Sequence, residues 1–215
     1  MLDDDSPGDD TADGGLGDDS IGGSAGTDQI TGGGGDDWLT GGPQSTLRGG
    51  AGKDLLRGTS GTAMSGGAAY DELQLELHSR TRSSIDGGNG GNKLWLTLPK
   101  SVFAPGLHLQ VDVPRKRFSI NRRKVLDLSG VESFVIDAPL GRLTFLGGPA
   151  DEWVLPFHRS RLRVRAFGRG GRDLLQGGRF ADLLDGGPGR DRLHGRGSRD
   201  RCLNGEELGS CEVRR

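Results

Sequence analysis

Residues 5–40 read DSPGDDTAD, GGLGDDSIG, GSAGTDQIT, GGGGDDWLT, which is four tandem copies of one nine-residue unit. The fourth position is Gly in every copy (Gly8, Gly17, Gly26, Gly35). The sixth is Asp (Asp10, Asp19, Asp28, Asp37), and the eighth is apolar (Ala12, Ile21, Ile30, Leu39). A flexible Gly/Asp-rich linker has no reason to keep an apolar residue at every ninth position. A unit this short has room for a strand of about three residues and a turn of about six, and only the eighth residue faces inward, because side chains alternate along a strand. The turn is glycine-rich where the backbone needs positive φ or a close approach. With no side chains in the way, turn carbonyls can converge, and an aspartate beside them adds charge. Hard cations favour such an all-oxygen shell.

The unit recurs intact at 49–57 (GGAGKDLLR) and 186–194 (GGPGRDRLH). Degenerate copies lie at 66–74 (GGAAYDELQ), 87–95 (GGNGGNKLW), 168–176 (GRGGRDLLQ), 177–185 (GGRFADLLD) and 195–203 (GRGSRDRCL). The pattern resembles the G-G-x-G-x-D-x-U-x repeat of hemolysin-type (RTX) calcium-binding proteins. The resemblance implies an all-β parallel β-roll in which two repeats make one coil. It implies Ca²⁺ as cofactor, seated between stacked turns and held by the Asp of one repeat, the Asp two repeats on, and turn carbonyls. The ligand candidates are Asp10, Asp19, Asp28, Asp37, Asp54, Asp71, Asn92, Asp173, Asp182, Asp191 and Asp200.

Two units depart from the pattern. GGPQSTLR (41–48) and GTSGTAMS (58–65) have eight residues and no Asp, leaving Ser45 and Thr62 at the ligand position. Sorting alternate repeats onto one edge gives two columns: Asp19, Asp37, Asp54, Asp71, Asn92, and Asp10, Asp28, Ser45, Thr62, Ser83. The first column is expected to carry most of the calcium. The second offers one Asp pair, and beyond it hydroxyl-to-backbone bonds can close the turns without metal.

With 41 Gly in 215 residues, 32% apolar and 5% aromatic, the chain cannot build a thick core, and a thin solenoid fits. The net charge of −2 hides an asymmetry: residues 1–92 hold 16 acidic and 5 basic residues, and residues 93–215 hold 14 and 23. No apolar run is long enough to span a membrane. The opening MLDDDSPGDD has no basic or apolar leader. Leu2 stands where a preceding repeat would put its inward residue, so Met1 is expected to be internal to a longer protein or a mis-called start.

From Pro99 to Phe167 the Gly-Asp turns fade while alternating strands continue, with inward residues expected at Leu126, Val135, Phe145, Val154 and Val164. The expected organisation is an N-terminal calcium roll over 1–95, a degenerate metal-free β-rich section over 96–167, a C-terminal calcium roll over 168–203 and a cap over 204–215. A separate β-domain at 96–167 stays open, since LHLQVDVPRKRFSI reads locally as a hairpin. Cys202 occupies the eighth position of the last repeat and Cys211 follows nine residues later. A disulfide between them would close the open end of the roll and implies an oxidising compartment. Such a cap resembles those of secreted bacterial calcium-repeat proteins. It departs from the toxin-type members, which carry a type I export signal.

No catalytic constellation is visible. GGSAG (22–26) matches a nucleophile elbow only formally, because Ser24 is the second residue of a nonapeptide. DDDSPG (3–8) fails as an EF-hand loop at Pro7 and Gly14. His78, His108, His158 and His194 show no metal-ligand spacing. Trp38, Trp95 and Trp153 are too dispersed for a sugar platform, and two of them, beside inward positions, are expected to pack. Arg115, Lys116, Arg117, Arg161, Arg163 and Arg165 form basic runs, read either as a solvated strand face or as a patch for an acidic glycan or other polyanion. The expected protein is a secreted bacterial calcium-binding module, structural and not an enzyme. The alternatives are the calcium-binding part of a larger secreted hydrolase, lyase or epimerase, and a polyanion-binding adhesin.

Overall fold

The structure, a computed structural model, describes residues 2–4, 8–23, 25–103, 106–158 and 160–214, leaving aside the side chains of 2–4, 213 and 214. Ser24 and Pro7 lie outside the described residues. Those described contain strands, turns and bends and no α-helix. The chain forms two compact units, Met1–Thr97 with Val125–Val131, and Leu98–Lys124 with Glu132–Arg215.

The first unit is a parallel β-roll. Strands alternate between two sheets, so each pairs with the strand two repeats on. One sheet contains Leu2–Asp4, Ser20–Gly23, Trp38–Thr40, Leu55–Thr59, Glu72–Glu76 and Lys93–Thr97. In it Ile21, Leu39, Leu56, Leu73 and Leu94 stack in register. The other contains Thr11–Leu16, Gln29–Gly34, Thr46–Ala51, Ala63–Ala68 and Ser83–Asn89, followed by the 125–129 stretch. Here the stack is Ala12, Ile30, Leu47, Met64, Ile85 and Leu128. All these residues are buried except Ala12, which is half-buried. Each buried aliphatic side chain contributes about 1.5–3 kcal/mol, so a core one residue wide must be repeated to hold. Later strands widen it: Leu75 and Leu96 add a second buried row.

Glycine is required where coil stacks on coil. Gly33 has φ +112°, and a Cβ there would collide with the Gly15 carbonyl; Gly50 (φ +121°) meets the Gly33 carbonyl in the same way. The roll therefore stacks backbone directly on backbone.

The second unit has the same parallel logic with one interruption. One sheet contains Ser133–Asp137, Trp153–Pro156, Leu174–Gln176, Arg192–His194 and Glu207–Gly209. The other contains Arg117–Ile120, Leu107–Asp112, Leu140–Leu146, Arg161–Phe167, Leu183–Asp185, Arg201–Leu203 and Val213–Arg214. Leu107–Asp112 pairs antiparallel with Arg117–Ile120, so the local hairpin is real. Its first strand also pairs parallel with Leu140–Leu146, and the hairpin thereby joins the solenoid sheet. The stack of Phe145, Ala166, Leu184 and Cys202 ends at the Cys202–Cys211 disulfide, with Cα atoms 5.8 Å apart.

Two sequence expectations are corrected. Counting by nine or ten placed Leu126 and Val135 in the inward stacks. Leu126 is buried on the same strand face as Leu128, which stacks on Ile85, but Phe134 and not Val135 stacks on Val154. Two apolar neighbours are indistinguishable by period once both faces of a strand are covered. Trp38 and Trp153 do not pack inside; they are 48% and 52% exposed, because the seventh position faces outward.

Candidate metal centres

Each repeat ends its turn on the sixth residue, just before the strand, so sixth-position side chains of alternate repeats lie one above the other. In the first unit Asp19 N donates to Asp37 Oδ1 (2.8 Å), Asp37 N to Asp54 Oδ1 (2.9 Å), and Asp54 N to Asp71 Oδ1 (2.9 Å). Asp71 N donates to Asn92 Oδ1 (2.7 Å). One carboxylate oxygen each of Asp37, Asp54 and Asp71 is thus used by the backbone. The other, Oδ2 of Asp19, Asp37, Asp54 and Asp71, is buried with no hydrogen-bond partner among the described residues. Four buried charged oxygens in a row without a donor would be costly alone.

What surrounds these oxygens fits a cation. A Cβ on Gly14 would lie 2.6 Å from both Asp19 Oδ2 and the Gly32 carbonyl oxygen, so the two oxygens converge above a bare Cα. Asp54 Oδ2 meets the Gly66 carbonyl above Gly49, and Asp71 Oδ2 meets the Gly87 carbonyl above Gly66. Two stacked carboxylates and turn carbonyls are hard-cation ligands. No three His, Cys, Asp or Glu side chains form a metal cluster among the described residues, so carbonyls must complete any shell. Burial pushes the Asp71 carboxyl up to about 6 and raises Asp54, with the neighbouring aspartate adding to each.

The column closes at Asn92. Its Nδ2 donates to the Gly130 carbonyl (3.0 Å), so an amide N–H stands where the aspartates leave an oxygen without a donor. The other column behaves differently. Asp10 N donates to Asp28 Oδ1 (3.3 Å), but Ser45 Oγ accepts from Asp28 N (3.1 Å) and donates to Asp28 Oδ2 (3.4 Å). Thr62 Oγ1 donates to the Gly42 carbonyl (3.0 Å), and Ser83 Oγ accepts from Gly61 N (2.8 Å). Hydroxyls close these turns with protein partners alone.

In the second unit Asp173 N donates to Asp191 Oδ1 (2.8 Å) and Asp182 N to Asp200 Oδ1 (2.9 Å). Oδ2 of Asp173, Asp191 and Asp200 is buried and lacks a partner among the described residues. Asp182 is unlike them: Val164 N and Gly178 N each donate to one of its oxygens (both 2.6 Å). Burial pushes Asp173 and Asp182 up to about 6 and raises Asp191 and Asp200.

Sequence reasoning missed Glu152. Residues 147–155, GGPADEWVL, are a further nonapeptide copy with Ala150 at the fourth position and Glu at the sixth. Its turn stacks on that of Asp173, whose Oδ1 accepts from Glu152 N (2.8 Å). The Gly147-Gly148 pair, a carboxylate five residues after Gly147 and the inward Val154 are the traces of the repeat that the sequence retains. One turn within residues 96–167 therefore carries a buried carboxylate at the sixth position.

The basic residues separate into two groups. Arg115 Nη1 lies 3.0 Å and Arg117 Nε 3.9 Å from Asp112 Oδ2, a carboxylate that is itself buried, so both serve the hairpin; Lys116 occupies its turn at φ +51°. Arg161, Arg163 and Arg165 share an exposed strand face, and the register sets Arg163 beside Arg142 and Arg142 beside His108.

The family model described as the RTX calcium-binding nonapeptide repeat (4 copies) matches residues 4–39, 44–62 and 167–202. No curated protein matches the chain.

Proposed function

We propose, from the match of residues 4–39, 44–62 and 167–202 to the RTX calcium-binding nonapeptide repeat model, that the protein is a secreted bacterial module whose rolls fold when calcium fills their turns. Its role is structural or binding and not catalytic. The observation that carries this reading is the row of buried carboxylate oxygens without donors among the described residues, those of Asp19, Asp54, Asp71 and Asp173 beside a glycine carbonyl of the next coil. Calcium between stacked turns would neutralise the row. We assign the ligands as Asp19, Asp37, Asp54 and Asp71 in the main column and Asp10 with Asp28 at the head of the other. In the second unit they are Asp173 with Asp191, and Asp182 with Asp200. Asn92 closes its column by hydrogen bonds. The ion binds the folded state alone, so its binding free energy becomes folding free energy. The Cys202–Cys211 disulfide supports an oxidising destination. Far-UV circular dichroism and limited proteolysis with calcium and with chelator test the reading. Strand content and protection of residues 8–97 should rise with calcium in the range of about 10⁻⁴–10⁻³ M. Equal protection in chelator overturns it.

A second reading concerns the Arg142, Arg161, Arg163, Arg165 face. Like charges opposite one another across strands destabilise a sheet, and no aromatic side chain interleaves them as single-stranded nucleic acid would require. An acidic glycan fits this face. Retention on a sulfated-glycan column should fall with salt and with Arg163→Ala/Arg165→Ala. Unchanged retention in the variant refutes it.

A further inference from the structure

We propose that Glu152, which lies outside the segments matched by the repeat family, and Asp173 form an additional divalent-cation site in the second unit's column. The inference rests on the roll's being a calcium binder and concerns a turn that no comparison assigns. Glu152 is 1% exposed and Asp173 2%. Glu152 Oε1 accepts from Gly148 N (3.0 Å), and Asp173 Oδ1 accepts from Glu152 N (2.8 Å). The remaining oxygens, Glu152 Oε2 and Asp173 Oδ2, have no donor among the described residues. As carboxylates, neither can offer the other a proton.

The surroundings repeat those of the aspartate turns. A Cβ on Gly147 would lie 2.7 Å from Glu152 Oε2 and closer still to the Gly168 carbonyl oxygen, so carboxylate and carbonyl converge over a bare Cα as they do above Gly14. Two facing carboxylates and that carbonyl give charge and hard-oxygen donors in one buried spot. The buried alternative is a shared proton, which satisfies the pair without metal.

The site separates from the rest of the roll by substitution. Native mass spectrometry and calorimetric titration with calcium are run on the full chain and on Glu152→Gln, Glu152→Asp and Asp54→Asn. The expected result is that Glu152→Gln binds one ion fewer than the parent, while Glu152→Asp keeps the parental number. In chelator, Glu152→Gln should melt at or above the parental temperature, since one of two facing acids is gone; a purely structural role would lower its melting with and without calcium. A parental ion count in Glu152→Gln, with a lowered count in Asp54→Asn, overturns the site, assigns the pair to a shared proton and leaves the calcium reading intact. A parent chain that binds no calcium overturns that reading itself.

Discussion

Replacing Asp54 by Asn should have opposite effects with and without calcium. Asp54 stands in two stacked pairs, with Asp37 on one side and Asp71 on the other. Its Oδ1 accepts from Asp37 N at 2.9 Å, and an amide oxygen can keep that bond. Its Oδ2, buried and without a donor, would become an N–H₂ beside the Gly66 carbonyl. Asn92 already shows that arrangement, donating to Gly130 O at 3.0 Å. In chelator the substitution therefore exchanges a buried charge without a partner for a hydrogen bond, a gain of about 0.5–1.5 kcal/mol. In calcium it weakens two sites. With dissociation constants of about 10⁻⁴–10⁻³ M and about 10 mM calcium, each site stabilises the fold by about 1.4–2.7 kcal/mol, so the loss is about 3–5 kcal/mol. Urea unfolding followed by circular dichroism in both conditions measures the two numbers. Ser45→Ala is the control: it strips the partners of Asp28 N and Oδ2 and should cost about 1–3 kcal/mol regardless of calcium. Equal losses for Asp54→Asn in calcium and in chelator would refute the column as a metal site. A calcium-dependent loss for Ser45→Ala would refute the reading that the second column carries no metal beyond its Asp10–Asp28 pair.

The chelated protein should be more stable in mild acid than at neutral pH. Burial raises the folded-state values of Asp71, Asp173 and Asp182 to about 6 and of Glu152 to about 8, above their unfolded values. Their contribution is complete below about pH 4 and is lost as pH rises through 6 and then 8; melting temperatures in chelator across that range should fall, and a rise contradicts the assignment. With calcium the trend should reverse, because protons compete with the ion for the same oxygens. Ala69, at the fourth position of its repeat, has φ +78°, so Ala69→Gly should stabilise by about 1 kcal/mol in urea titrations, with or without calcium. Replacing Cys202 and Cys211 by Ser should cost about 2–3 kcal/mol, and hydrogen exchange should accelerate in Arg192–His194 and Arg201–Leu203, the strands next to the cap.

The sequence alone determined the roll. Each coil partner lies only 17 or 18 residues away through most of the first unit, so period and pairing are the same information. The assignment of alternate repeats to separate columns followed from that count, and the Ser45 and Thr62 turns could be told apart by the chemistry of their side chains. Tertiary structure decided whatever the period does not encode. Phe134 and not Val135 faces Val154, because both are apolar and only the hydrogen-bonded register chooses between them. Arg142 joins Arg161, Arg163 and Arg165 from a different strand, while Arg115 and Arg117 are held back by Asp112. Glu152 became visible as a ligand candidate only through its neighbour. Ala150 and a glutamate blur the repeat in one dimension. Stacked on Asp173, the same carboxylate is buried beside a second acid and a bare glycine carbonyl, and that juxtaposition exists only once the chain has coiled.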